Sequence, residues 1–434
     1  MGNINDKLDN KINDFKQNNL IIILVSQEII VNSLKIDFVE DNNYNYMHYE
    51  LKENNVKNEK ELSKKEINFV INLIKENIND YTKRIIFIIF SEYFFSNVPI
   101  LEDKRDTIMR MISSSFSKFE IFFLYNFLYK LKKPLNKNEI EDLKEYLINA
   151  NTDNRIFNLN LTNGKNHSLI CNENLNNWYT NESVLTYNNK VILTQKKQNF
   201  YKEIPLICEN FSLGFGGKEA KINSLEPEIK LYQYFKDFFN IDICMDAQHG
   251  FSFKRENYMK NDISYLSKED QDIIQRKRKV FKKYYNGEDY NKKDYYIIQS
   301  NSTDLSDILH HYPENKIIIQ VDPNSSGIFC TKYSKSVIKK LEDLNNIKDK
   351  YVKNIKEIFE KDINKKENNI LHQKKEYYRA KKCIEEIFYR ERKDLINRNF
   401  YNIVERVKPI KDETKEMENI RINIQLYDLN NLKK

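Results

Sequence analysis

Cys244 closes the apolar part of FNIDICMDAQHG, residues 239–250, where Ile241 and Ile243 alternate with Asp242 and Cys244. That alternation predicts a short strand entering a polar turn, with the thiol held at an open edge. Two further stretches carry groups that could work with it. Glu92 follows an apolar run in RIIFIIFSEYFFSNVP, residues 84–99, and Lys196 and Lys197 follow the second strand-like run of NESVLTYNNKVILTQKKQNFYKE, residues 181–203. Hydrolysis of an amide at neutral pH benefits from a thiolate nucleophile, a proton shuttle and a cation near the developing oxyanion. In that chemistry Glu92 takes the thiol proton, passes it to the departing amine, and then activates the water that cleaves the thioester. A neighbouring ammonium stabilises the oxyanion and favours the thiolate. Each residue also has an ordinary reading: a cysteine as small core filler, a strand-end glutamate as a satisfied surface residue, and hairpin lysines as solvated cations.

The elements that must position these groups alternate along the chain. LIIILVSQ, residues 20–27, is too continuously apolar to be half exposed and predicts a central strand buried on both faces. Leu62, Ile67, Val70, Ile71 and Ile74 recur at helical spacing. The strand ending at Glu92 comes next, then an amphipathic run over 103–117, the aromatic strand FEIFFLYNFLYKL and a surface helix over 133–150. Val184 to Tyr187 and Val191 to Thr194 flank Asn188 and Asn189 as a hairpin. The alternation points to a layered α/β domain. A charged insertion is expected over 255–293, before the strand YYIIQS.

Composition narrows the class. The chain has 434 residues, 40% hydrophobic and 13% aromatic, enough for one large core or two smaller ones. Its cysteines, Cys171, Cys208, Cys244, Cys330 and Cys383, are widely spaced and lack CxxC pairs, which argues against a disulfide framework or zinc site and favours a reducing cytoplasm. The N-terminus has no signal-peptide stretch, no run approaches the roughly 20 apolar residues of a membrane span, and Asp6 stands where myristoylation wants Ser or Thr. Residues 331–434 hold 27 Lys and Arg against 18 Asp and Glu, a net +9, which leaves residues 1–330 at −2. A boundary is expected there, between a near-neutral body and a basic helical extension.

Four landmarks in this order resemble the nitrilase, or carbon–nitrogen hydrolase, superfamily over roughly residues 18–330. They are LIIILVSQ with its terminal Gln27, IIFIIFSEYF with Glu92, NESVLTYNNKVILTQKK with Lys197 as the better-matched lysine, and DICMD with Cys244 followed by Asp246. PENKIIIQVDPN, residues 313–324, is a fainter fifth match. Four features depart from the family pattern: Ser91 replaces a common proline, Pro313 stands where a helix is expected, AQHG follows the nucleophile strand, and the separations between landmarks are long. The resemblance implies a nitrilase-like αββα sandwich with inserted loops and a C-terminal helical elaboration. It also implies a Cys–Glu–Lys triad acting on a small-molecule amide, carbamoyl or nitrile substrate, without metal or cofactor, in a homo-oligomer. A second glutamate shortly after the lysine is a feature of many members; Glu203 is preferred here over Glu209.

Rival readings are weaker. His249 could approach Cys244, but papain-like enzymes place the nucleophile at a helix start and the histidine far off in sequence. His310 and His311 are expected to diverge in a loop, without metal, and LGFGGKEAK, residues 213–221, lacks phosphate-loop spacing. Residues 335–408 predict two or three long helices. Without a recognition motif their basic excess does not make nucleic acid the expected partner. NIRINIQLYDLNN, residues 419–431, alternates as a final strand ending in Asp428, which would make the helices an insertion. The alternative from another class is a catalytically silent nitrilase-like scaffold that binds an acidic partner through its basic helices.

Overall fold

The computed structural model describes residues 20–27, 37–41, 46–50, 61–96, 100–130, 179–187, 190–196, 239–244, 247, 268, 271, 275, 293–301, 303–312, 314–363, 370–417 and 420–430. Strand β1 (Leu20–Gln27) is buried along its whole length. Ile21, Ile23 and Val25 face a helical layer, whereas Leu20, Ile22 and Leu24 face a second sheet. This two-sided burial is why the run does not alternate. Strands β2 (Asp37–Asp41) and β3 (Tyr46–Glu50) form a separate antiparallel pair.

Helix α1 (Lys64–Ile78) starts at a capping box: Ser63 Oγ accepts from the Glu66 N–H at 3.2 Å, and Glu66 Oε2 accepts from the Ser63 N–H at 2.7 Å. Its apolar face buries Ile67, Val70, Ile71 and Ile74, as the spacing predicts. Next come β4 (Ile85–Phe90), β5 (Ile100–Leu101), α2 (Glu102–Ser114), β6 (Glu120–Lys130), β7 (Tyr179–Tyr187) and β8 (Lys190–Lys196). The remaining elements are β9 (Phe239–Ile243), β10 (Tyr295–Gln299), the short α3 (Leu305–Ile308), β11 (Ile317–Val321), β12 (Gly327–Thr331), α4 (Lys335–Ile363), α5 (Ile370–Arg398), α6 (Phe400–Ile403), β13 (Val404–Arg406), β14 (Lys411–Met417) and β15 (Ile420–Asp428).

The fold is mixed α/β, built on two main sheets. The first has the order β14-β15-β1-β4-β6-β7-β8, with β5 on β6; the second has the order β13-β12-β11-β10-β9. β1, β4 and β6 run parallel, as do β9, β10 and β11. Helices α1 and α2 cover the outer face of the first sheet, and α3, α4, α5 and α6 cover that of the second. Between the sheets, Ile22, Leu24, Phe87, Ile89, Phe122 and Leu124 meet Ile241, Ile297, Ile319 and Val321. Each such fully buried side chain is worth about 1.5–3 kcal/mol, so this interface fixes how the ends of the two parallel strand sets meet.

The basic segment is stitched into this body. β12 and β13 are antiparallel neighbours, and the Lys332 N–H donates to the Ile403 carbonyl at 2.7 Å, so α4 and α5 form an excursion whose two ends meet. The strand expected over 419–431 is β15, which pairs antiparallel with β1. Its last residue, Asp428, accepts two hydrogen bonds from the Arg84 guanidinium, at 2.6 and 2.7 Å, just before β4. No helix among the described residues is long and apolar enough to cross a membrane.

Candidate functional site

β4 ends at Phe90, and the chain turns sharply through Glu92 and Tyr93. The Ser91 N–H donates back to the Val25 carbonyl at 3.0 Å, and Tyr93 adopts a left-handed backbone with φ 58°. That conformation costs an ordinary side chain about 1–2 kcal/mol and must be held by its surroundings. It is held here by Asn126 of β6, whose Oδ1 accepts the Tyr93 N–H at 3.0 Å. Glu92 is 1% exposed, and its Oε1 accepts from Asn181 Nδ2 of β7 at 2.9 Å. The same Nδ2 lies 3.2 Å from the Tyr93 hydroxyl, and Asn126 Nδ2 donates to Asn181 Oδ1 at 2.8 Å. One residue further along β7, Glu182 lies 3.9 Å from Arg105 of α2.

Cys244 sits immediately after β9, also in the left-handed region with φ 44°. Its N–H donates to the Gln299 carbonyl at 2.8 Å, and its own carbonyl accepts from Ala247 at 3.0 Å, so the residue is clamped into a tight turn. The thiol is partly exposed, with Sγ 3.5 Å from the Thr303 hydroxyl. Thr303 is anchored in turn: its N–H donates to Asp322 Oδ2 at 3.0 Å, and Ser300 Oγ donates to the same oxygen at 2.7 Å. Two side chains proposed for chemistry thus lie at or beside positive-φ turns directly beyond the carboxyl ends of parallel strands, where open α/β sheets place their sites.

Gln299 joins the two halves. It is completely buried, and its side chain crosses from β10 to the first sheet, where Nε2 donates to the Phe90 carbonyl at 2.7 Å and Oε1 accepts from Ser183. Phe90 is the last residue of β4 before the Glu92 turn. A single residue is therefore bonded to the main chain of Cys244 and to the strand that delivers Glu92.

Lys197, Glu203, Glu209, Asp246 and His249 lie outside the described residues. β8 ends at Lys196, whose register partner on β7 is Glu182, the residue after Asn181. The adjacent histidines do not behave as expected. Instead of diverging in a loop, His310 and His311 lie in a short helical turn with ring centroids 3.9 Å apart, and both reach the Tyr389 hydroxyl of α5, at 2.6 and 3.0 Å from their Nε2 atoms. Both histidines are buried against the helical layer, where the Tyr389 hydroxyl lies within hydrogen-bond reach of each. Of the other described thiols, Cys330 is pushed above the usual cysteine range, chiefly by burial and then by Glu405, and Cys383 is exposed on α5. Among the described residues no group of three or more His, Cys, Asp or Glu is arranged to hold a metal ion.

No protein-family model matches the chain, and no curated protein sequence matches it significantly. The site therefore stands on its own geometry. Sequence reasoning missed Asn126, Gln299 and Thr303, and it treated Asn181 only as the start of a hairpin. A signal was present: Asn126 interrupts an aromatic strand, and a polar side chain in such a run must find a buried partner.

Proposed function

We propose that the chain is a thiol-dependent hydrolase of a non-peptide carbon–nitrogen bond, of the nitrilase type, with Cys244 as nucleophile and Glu92 as proton shuttle. The observation that carries this reading is the Gln299 bridge, which ties the Cys244 turn to the strand end bearing Glu92. The helix–sheet–sheet–helix layering and the chain order of the elements agree with it. In the reaction, Glu92 accepts the thiol proton as sulfur attacks the carbonyl carbon, and returns it to the leaving amine as the C–N bond breaks. Water then gives one proton to Glu92 as its oxygen attacks the thioester carbon; the C–S bond breaks, the acid is released, and Glu92 returns the proton to the departing thiolate. Lys197 is assigned to the oxyanion and Glu203 to a supporting role, both from their places after β8 in the sequence. Glu92 is buried, and the hydrogen bond from Asn181 Nδ2 holds its carboxylate in orientation.

The test uses the full-length chain and iodoacetamide, with modification mapped cysteine by cysteine. Cys244 should react at pH 7 roughly tenfold or more faster than in E92Q, with exposed Cys383 as an unchanged internal control. C244A should abolish ammonia release from any small amide or nitrile that the protein turns over. Equal Cys244 reactivity in wild type and E92Q, with no amide or nitrile turned over by the wild type, would leave the silent scaffold as the better reading; turnover surviving in C244A would overturn the thiol mechanism.

A further inference from the structure

We infer that Asn126 and Asn181 form a directional relay that fixes which way the Glu92 site is polarised, with Asn181 as the positioning residue and Asn126 as its lock. The sense of the relay follows from one backbone group. An amide side chain can be turned end for end, and its O and N are distinguished only by their partners. The Tyr93 N–H can only donate, so the Asn126 atom 3.0 Å from it must be oxygen. The other end of Asn126 is then NH2, and the Asn181 atom 2.8 Å away must be oxygen. It follows that Asn181 presents NH2 to Glu92 Oε1 at 2.9 Å. Both amides are completely buried, so water cannot offer an alternative set of partners.

The consequence is a carboxylate that is always met by a donor on this side. A buried acid facing an amide oxygen would have to keep its own proton to make the bond, and could not serve as a base. Here the choice is made two side chains away, by the main-chain N–H of the residue that follows Glu92. The relay thus couples the left-handed Tyr93 turn to the orientation of Glu92. Its catalytic meaning rests on Glu92 acting as the proton shuttle, whereas the relay itself is tested by stability alone.

The discriminating variant is Asn126→Asp. It keeps an oxygen for the Tyr93 N–H but replaces the NH2 that faces Asn181 with a second oxygen. Asn181 must then turn over to donate to residue 126, and its oxygen comes to face Glu92. Asn126→Asp should lower the melting temperature of the full-length chain by several degrees. Adding Glu92→Gln should recover at least half of that loss, because a glutamine can donate to the reversed Asn181. Residues 92 and 126 share no direct hydrogen bond, so recovery would come through Asn181. Losses that simply add, or N126D and N126D/E92Q both failing to fold while E92Q folds, would overturn the relay. Recovery with Cys244 alkylation indifferent to E92Q would uphold the relay and sink the hydrolase reading.

Discussion

The carbonyl of Gln299 accepts the backbone N–H of Cys244 at 2.8 Å, and the Gln299 side chain spans the space between the sheets to the Phe90 carbonyl. The turn at Cys244 and the strand that leads to Glu92 are thus joined through one side chain, in addition to the apolar packing between the sheets. Replacing Gln299 with Leu keeps the volume but removes the donor to Phe90 and the acceptor for Ser183. Leaving such buried groups unmatched should cost about 2–4 kcal/mol, read from denaturant unfolding, with slower alkylation of Cys244. Gln299→Glu, which retains only the acceptor for Ser183, should do no better at neutral pH; full stability in either variant would show that the bridge is dispensable.

The Arg84–Asp428 pair gives a pH signature. The Arg84 guanidinium holds the Asp428 carboxyl below its usual range, against the opposing effect of burial. A carboxyl whose folded pKa is depressed contributes stability above the unfolded value of 3.8 and loses it as pH falls through the lower folded value. Arg84→Met should therefore destabilise the chain at pH 7 by about 1–3 kcal/mol, and the gap to wild type should close in acid. A gap that stays constant down to the lowest pH at which the protein remains folded would rule out this ion pair as its source.

Tyr389 makes the third prediction. Its hydroxyl is shared by His310 and His311, and Arg392, one turn later, donates to the His310 carbonyl at 3.3 Å. Tyr389→Phe removes only that oxygen. Hydrogen exchange should accelerate along α5 near this contact, with a stability loss of about 1–3 kcal/mol, while the β1–β4 ladder stays protected. Unchanged exchange in α5 would mean that the Tyr389 hydroxyl does not help to seat the helix.

What could be read from the sequence was what depends on neighbours in the chain. The uninterrupted apolar run of β1, the helical spacing of Ile67 to Ile74 and the alternation of β15 each reflect burial on a known number of faces, and each element lies where it was expected. Glu92 and Cys244 were legible as residues just past strand ends. Their supports were not. Asn126 finds Asn181 across 55 residues, Asn181 finds Glu92 across 89, and Gln299 finds Phe90 across 209. Such pairings are properties of sheet register, which local pattern does not carry. The histidines failed for the same reason, since their partner Tyr389 is 79 and 78 residues away.

Among the described residues, the long helices join the buried core near their roots. Val337, Leu341, Leu395 and Ile396 join the core beside the second sheet, whereas further out Tyr351 packs on Phe388 and Phe359 on Tyr377, helix against helix. Because the excursion departs from and returns to adjacent strand ends, the number of turns it contains is independent of the register of every strand. Whole helical turns could be deleted from or added to both arms beyond the roots, and the sandwich beneath would be unaware of the change. In a protein built this way, reach is a freely adjustable dimension, and it can be retuned without touching the geometry that holds Cys244 and Glu92.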